Sequence, residues 1–261
     1  ELRIDSQVTA IRTEARAVTG VTLANGESLD ATVVLSTLDP KTTFLRLMDP
    51  GLLPARLTEH IGAWRTRGIV AHLLLALNQP LRFAARPTER VAHALVAGSL
   101  NELEQAFDAV KYGRSSETPV LDVCVPTVED ASLAPAGHEV VSVLVYFAPH
   151  DPEGGWTPQS RDALAARALD RLEAAAPGVK GSLVAQVLRT PAGLEAEFGL
   201  SGGHLHHGEH ALDQILVRPA PDCVKYGTPV GGLYLGGGGS HPGGGPTGAP
   251  GVMAAKALLG R

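Results

Sequence analysis

Two stretches of the sequence concentrate residue types able to do chemistry. The segment GGHLHHGEH (202–210) gathers His204, His206, His207, Glu209 and His210. On a strand His204 and His206 would share a face; on a helix His206 and His210 would. Imidazoles at such spacing can hold zinc or iron, can line the wall of a ligand pocket, or can be structural and surface histidines. The second stretch, GGLYLGGGGSHPGGGPTGAPGVMAAKALLGR (231–261), runs from a strand-like GLYLG through a glycine-rich loop into a helix-like VMAAKALL. That order is how proteins hold a phosphate or an electron-rich ring edge against backbone N–H groups, because glycine has no Cβ to keep the backbone away. The N-terminus of the helix adds a partial positive charge and N–H groups without internal partners. A Walker phosphate loop is excluded, since no Gly-Lys-Ser/Thr ends the run. His241, inside the loop beside Pro242, either touches a bound edge or hydrogen-bonds the loop itself.

Elements that could position these residues are readable in the hydrophobic pattern. Residues 7–13 and 17–23 alternate apolar and polar and read as paired strands. Asn25-Gly26 signals a turn, and 28–36 reads as a third strand. Asp39-Pro40 reads as an N-cap with Pro at the first helical position, opening a short helix through Met48, with another helix at 54–64. Strands are expected at 68–77, 121–125, 139–147 and 182–190. Ser99 and Glu102 stand at capping-box spacing before a helix that Gly113 stops, and 157–178 is the clearest helix. Cys124, flanked by Val123 and Val125, reads as a buried, inert thiol, and Glu129-Asp130 as turn and cap residues. Strands and helices interleave irregularly, so the expected class is α+β (mixed α/β) rather than an alternating barrel.

The chain has 261 residues and a net charge of −5, so no broad basic surface invites nucleic acid. No apolar run reaches the ~20 residues needed to span a bilayer. Two cysteines far apart suit a reducing compartment, and the expected location is cytoplasmic. The first residue is Glu1, not Met, and strand material follows at once, which leads to the expectation of a C-terminal part of a longer protein.

The residues also carry a resemblance. GGLYLGGGGSHPGGGPTGAPGVMAAKAL is similar to the C-terminal flavin-contacting segment of phytoene-desaturase-like FAD oxidoreductases, within the amine-oxidase superfamily. YGRSSETPVLDVCVPTVEDASLAPAGHEVVSVLVYFAPH and FGLSGGHLHHGEHALDQILVRPAP resemble the branch with the pyridine nucleotide-disulphide oxidoreductase domain-containing proteins. VTAIRTEARAVTGVTLANGESLDATVVLSTLDP resembles the strands that precede the substrate domain there. The resemblance implies an FAD-dependent oxidoreductase that moves a hydride from a small apolar, isoprenoid-like substrate to flavin.

It further implies FAD-domain strands at 1–45, a substrate-binding domain with a mixed β-sheet and packed helices at 46–225, and an FAD-contacting strand, loop and helix at 226–261. The Rossmann half, with G-x-G-x-x-G and an acidic residue for the ribose, would be a missing partner. The chain alone would then be inactive and would not retain FAD. Cofactor contact falls on Val8, Gly237, Gly238, Gly243, Gly244, Gly245, Thr247 and Gly248. Where the superfamily often has an Asp after the LYLxG strand, this chain has Gly237, Gly238 and Gly239, which leaves backbone contact. His204, His207 and His241 are the expected substrate-pocket residues; no catalytic base and no metal ligand is assigned. Weak association with a membrane surface fits an apolar substrate, and the oligomeric state stays open. Two other readings stand beside this one: a non-catalytic binding or interaction module, and a metalloprotein built on the histidine cluster.

Overall fold

The computed structural model describes residues 1–260. The chain forms two compact units, one made of Glu1–Thr66 with His204–Arg261, the other of Arg67–Gly203. These breaks lie inside the expected 46–225 domain at both ends. The reason is packing: Met48, Leu53, Leu57 and Ile61 on one side, and Ala220 and Cys223 on the other, belong to the core of the first unit.

In the first unit, strands β1 (Val8–Glu14) and β2 (Ala17–Leu23) form an antiparallel hairpin. Its two turn residues, Ala15 and Arg16, both have positive φ (47° and 64°), the backbone that a two-residue hairpin turn requires. Strand β3 (Ser28–Asp30) adds antiparallel to β2. The single strand expected over 28–36 is two strands. Ala31 N–H still bonds Thr19 O, but Val34 N–H bonds Gly232 O, so the chain changes partner and sheet between them. Strand β4 (Val34–Ser36) follows. Asp39 then caps the next turn, its carboxylate accepting from the Thr42 N–H (3.0 Å) and hydroxyl (2.6 Å). That turn winds as a π-helix over Thr42–Arg46 and leads to helix α1 (Ala55–Ala63), whose Leu57 and Ile61 are fully buried one turn apart.

The second unit is a five-stranded sheet with helices. Its strands are β5 (Val70–Leu77), β6 (His93–Val96), β7 (Val120–Cys124), β8 (Glu139–Tyr146) and β9 (Leu183–Arg189), in the order β6-β7-β8-β5-β9. Every pairing is antiparallel, where a mixed sheet was expected. Strands β8 and β9 are joined through a long helix and would be the natural parallel neighbours. They flank β5 on opposite sides instead, each antiparallel to it.

The helices are α2 (Leu100–Lys111), α3 (Pro158–Ala175), α4 (Val179–Ser182) and α5 (Pro191–Phe198). Thr157 and Ser160 close a reciprocal capping box at the start of α3. Leu164, Ala168 and Leu172 of α3 then join the core with Leu73, Leu75, Val141 and Val143 from alternate positions of β5 and β8. Cys124 is exposed, which corrects the expectation of a buried thiol: the core side of β7 takes Val123, and its neighbour points the other way. Residues 199–203 spell G-x-S-x-G, yet Ser201 is buried and follows helix α5 rather than a strand, so the strand–turn–helix of a nucleophile elbow is missing there.

The chain returns to the first unit through α6 (Leu212–Ile215), β10 (Leu233–Leu235) and α7 (Ala249–Leu259). Strand β10 pairs parallel with β4, Leu233 opposite Val34 and Leu235 opposite Ser36, so the two ends of the chain meet in one sheet. Among the described residues no helix is long and apolar enough to cross a membrane.

Candidate functional site

The site grows from the β4–β10 pair. Leu233 and Leu235 bury into the core of the first unit, and Gly236 N–H continues the ladder to Ser36 O at 2.8 Å. Beyond that point the chain passes so close to the 37–40 turn that a side chain would collide. A Cβ on Gly237 would stand 2.3 Å from Thr37 O, and one on Gly239 would stand 2.5 Å from Pro40 Cδ. Gly237 and Gly239 therefore hold the loop against its own fold. Gly238 lends its carbonyl to a buried arginine, described below.

The loop then opens. Gly243, Gly244 and Gly248 adopt positive φ (73°, 75° and 70°) and turn the chain into α7. Gly245 and Gly248 face free space on the side where a Cβ would lie. Gly248 is the N-cap of α7 and offers no side-chain cap, while the Thr247 hydroxyl accepts only from Ala249 N–H (3.2 Å). The N–H groups of this open glycine turn can receive an anion or the electron-rich edge of a ring.

Beneath the loop lies Arg218, with no exposed surface. Its Nη1 donates to Glu209 O (2.9 Å) and Gln214 O (3.4 Å), and its Nη2 to Gly208 O (3.3 Å) and Gly238 O (3.4 Å). The guanidinium sits over the Trp64 ring, 4.9 Å from its centroid. Trp64 Nε1 in turn donates to His207 O at 2.9 Å. Burial pulls the Arg218 pKa down to about 10, which leaves it charged at neutral pH. At the other end of the 209–214 segment, Arg65 forks onto Asp213 (2.8 and 2.5 Å) and reaches Glu209 (3.2 Å).

The histidines gather on this frame. His204 Nδ1 accepts from the N–H groups of His206 (3.2 Å) and Gly208 (3.4 Å), and burial lowers its pKa to about 4. His206 meets His204 and His210 edge to face, at centroid distances of 6.1 and 5.8 Å. His207 has its Nδ1 buried without a hydrogen-bond partner, beside Gly237. Burial lowers the pKa of His206, His207 and His210 as well, with Asp39 pulling His207 the other way. Among the described residues no three His, Cys, Asp or Glu side chains are arranged to hold a metal.

The structure thus brings His207 beside Gly237 and His206 beside Gly238, keeps His204 against His206 and Gly208, and places Gly243, Gly244, Gly245, Thr247 and Gly248 in one turn. His241 is on the exposed side of the loop. Val8 lies in β1 opposite Leu23, in a different sheet from β4 and β10. Sequence reasoning missed Trp64 and Arg218. The signal for Arg218 was a single arginine inside the otherwise uncharged LVRPAP.

The sequence and fold have known relatives. The pattern of the family described as flavin containing amine oxidoreductase matches residues 1–255. Pyridine nucleotide-disulfide oxidoreductase domain-containing protein 2 of Rattus norvegicus is 38% identical over 261 residues, covering 95% of this chain and 45% of that protein. The 4,4'-diapolycopene oxygenase of Methylomonas sp is 27% identical over 249 residues, covering 94% of this chain and 47% of that protein. Among solved structures, an oxidoreductase from Methanosarcina mazei superposes with a TM-score of 0.57 at 16% identity, covering 98% of this chain and 49% of that one. The chain spans about half the length of the curated relatives it matches.

Proposed function

Since the chain belongs to the flavin containing amine oxidoreductase family, we propose that it is the C-terminal portion of an FAD-dependent oxidoreductase acting on an apolar substrate. The observation that carries this reading is the β10–glycine turn–α7 unit, in which an uncapped helix start stands behind glycines facing free space. When bound, FAD supplies the hydride-accepting ring. The residues of this chain fit one edge of it. The N–H groups of Gly243, Gly244, Gly245, Gly248 and Gly251 are offered to negative charge on the ring, while those of Thr247 and Ala249 are bonded within the loop and Pro246 and Pro250 have none. His204 and His207, kept neutral by burial, form an adjoining wall that excludes water without adding charge. The substrate class draws on relatives named as carotenoid enzymes, such as the zeta-carotene-forming phytoene desaturase of Myxococcus xanthus.

The rest of the cofactor site belongs to a segment outside this chain. Strands β4 and β10 make a parallel sheet of only two strands, whereas parallel sheets are normally extended and covered on both faces. Leu35 on β4 and Val252 on α7 are 40% and 56% exposed, apolar surface that a further layer would bury. The two unpaired cysteines fit a reducing compartment, the cytoplasm.

The test is flavin content. The whole protein, purified or reconstituted with FAD, should carry one flavin that anaerobic incubation with a carotenoid substrate bleaches. The chain by itself should release flavin on gel filtration. A whole protein that takes up no FAD would sink the reading, and a stoichiometric complex with the chain alone would sink the assignment of the remaining site elsewhere.

A further inference from the structure

A cation buried without a carboxylate needs negative charge from another source, because desolvating an ion costs more than carbonyl oxygens alone return. Arg218 is such a cation. It has no exposed surface, its four acceptors are all backbone carbonyls, and its Nε is buried with no partner. Of the acids near it in sequence, Glu209 and Asp213 bind Arg65, and Asp222 is exposed. Asp39 caps the turn that starts at Thr42. The imidazoles around it are held neutral by burial and add no negative charge.

The guanidinium also lies directly under the glycine turn. A Cβ on Gly243 would stand 2.8 Å from Nε and 3.0 Å from Cζ, so only glycine lets the turn close over it. The fixed charge is therefore placed behind the same backbone that presents N–H groups to the cofactor.

We infer that Arg218 is a positioning residue for flavin electrostatics: its buried charge favours the reduced, anionic ring over the oxidised, neutral one. This rests on the proposed function, because it requires the ring to sit on the 243–248 turn. Reduction by hydride adds two electrons and one proton to the neutral ring and leaves one negative charge, which a neighbouring cation stabilises.

The experiment is an anaerobic titration of the flavin-loaded whole protein with dithionite, which is oxidised to sulfite as the ring takes up two electrons and a proton. Three variants are compared with the native protein. Arg218→Met removes the charge at similar volume, and Arg218→Lys keeps it. His210→Glu brings a carboxylate to an exposed position whose ring already reaches the Gly243 site, 3.0 Å from its ideal Cβ. Arg218→Met and His210→Glu should each favour oxidised flavin about tenfold or more, a potential lower by about 30 mV for a two-electron couple. Arg218→Lys should stay nearer the native value. If Arg218→Met fails to fold, His210→Glu decides. A flavin-loaded Arg218→Met protein that titrates at the native potential, or a His210→Glu protein that does so where Arg218→Met does not fold, would overturn the role of Arg218 alone. A native whole protein that binds no flavin would overturn this inference together with the proposed function.

Discussion

Arg218 and Trp64 are stacked in the interior, the guanidinium 4.9 Å from the ring centroid, and the two side chains are 0% and 3% exposed. The pair organises two separate pieces of backbone, 207–208 and 238. Arg218 draws in the carbonyls of Gly208 and Gly238, and Trp64 fixes the carbonyl of His207. Gly208 must be glycine for this stack to form, since a Cβ there would lie 2.3 Å from the Trp64 ring.

The glycines of the loop should separate by role. Gly243→Ala combines a positive φ with a collision against Arg218. It should cost about 1–2 kcal/mol from the left-handed backbone alone, seen as a lower urea midpoint for the chain. Gly245→Ala meets open space and no left-handed backbone. Its stability should stay within about 0.5 kcal/mol of native, while flavin retention by the whole protein falls. Unchanged flavin content in Gly245→Ala would make the loop a spacer.

In the second unit, Glu139 is a nearly fully buried carboxylate. It accepts from Leu81 N–H at 2.7 Å and from the partly exposed Arg90. Glu139→Leu strands the Leu81 N–H and should lower stability by about 2–3 kcal/mol. Glu139→Gln keeps an acceptor for it and should cost distinctly less. Chemical denaturation of both variants checks this; equal losses would show that the Arg90 contact, not the Leu81 N–H, is what matters.

Acid should loosen the histidine frame. The His204 ring is neutral when folded, with a pKa lowered to about 4 by burial, whereas the unfolded ring protonates near about 6.5. Its contribution is complete above about pH 6.5 and is lost as pH falls toward 4, to a limit of about 3 kcal/mol. The lowered values at His206, His207 and His210 act in the same direction. His204→Asn keeps an acceptor for the two backbone N–H groups but does not titrate. Between pH 7 and 4.5 it should lose less stability than native, and parallel losses would exclude His204 as a source of the slope.

The two thiols should differ in reactivity. Cys124 is exposed, while Cys223 is 1% exposed and burial pushes its pKa up to about 12. Iodoacetamide should add one label to the native chain, at Cys124, and a second only in denaturant. Labelling of Cys223 at the same rate in native protein would contradict the burial.

Regular elements were legible because their signals are local. Pro158 near its start, the apolar side of Leu164, Ala168 and Leu172, and Pro177-Gly178 at its end announced α3, and the apolar run 139–147 announced β8. The break between β3 and β4 was not, since nothing in SLDATVVLS tells the chain to exchange Thr19 for Gly232 as partner. That choice is made by residues at the far end of the sequence. The same holds for the site. Glycine density and histidine clustering could be seen, but Arg218, Trp64 and Gly237 owe their roles to contacts between distant segments. The edge strand β6 was missed because only alternate residues of its short span are partly buried, which leaves a weak apolar pattern. The direction of Cys124 was misread because valines on both sides mask which face of a strand looks inward.

The parallel pairing of β4 with β10 sets an order of events in folding. Val34, Leu35 and Ser36 find their partners only at Leu233, Tyr234 and Leu235, so this ladder closes across most of the chain. The five-stranded sheet, in contrast, draws on one continuous stretch, 67–203. Loop-closure entropy delays the most distant pairing, and a chain emerging N-terminus first presents β4 long before β10 exists. The early strand edge must meanwhile stay unpaired, and the sheet of the second unit should consolidate first. In pulsed hydrogen exchange during refolding, amides of Leu73, Leu75 and Val143 should gain protection before those of Val34 and Leu235. Simultaneous protection would mean that both units close in a single step.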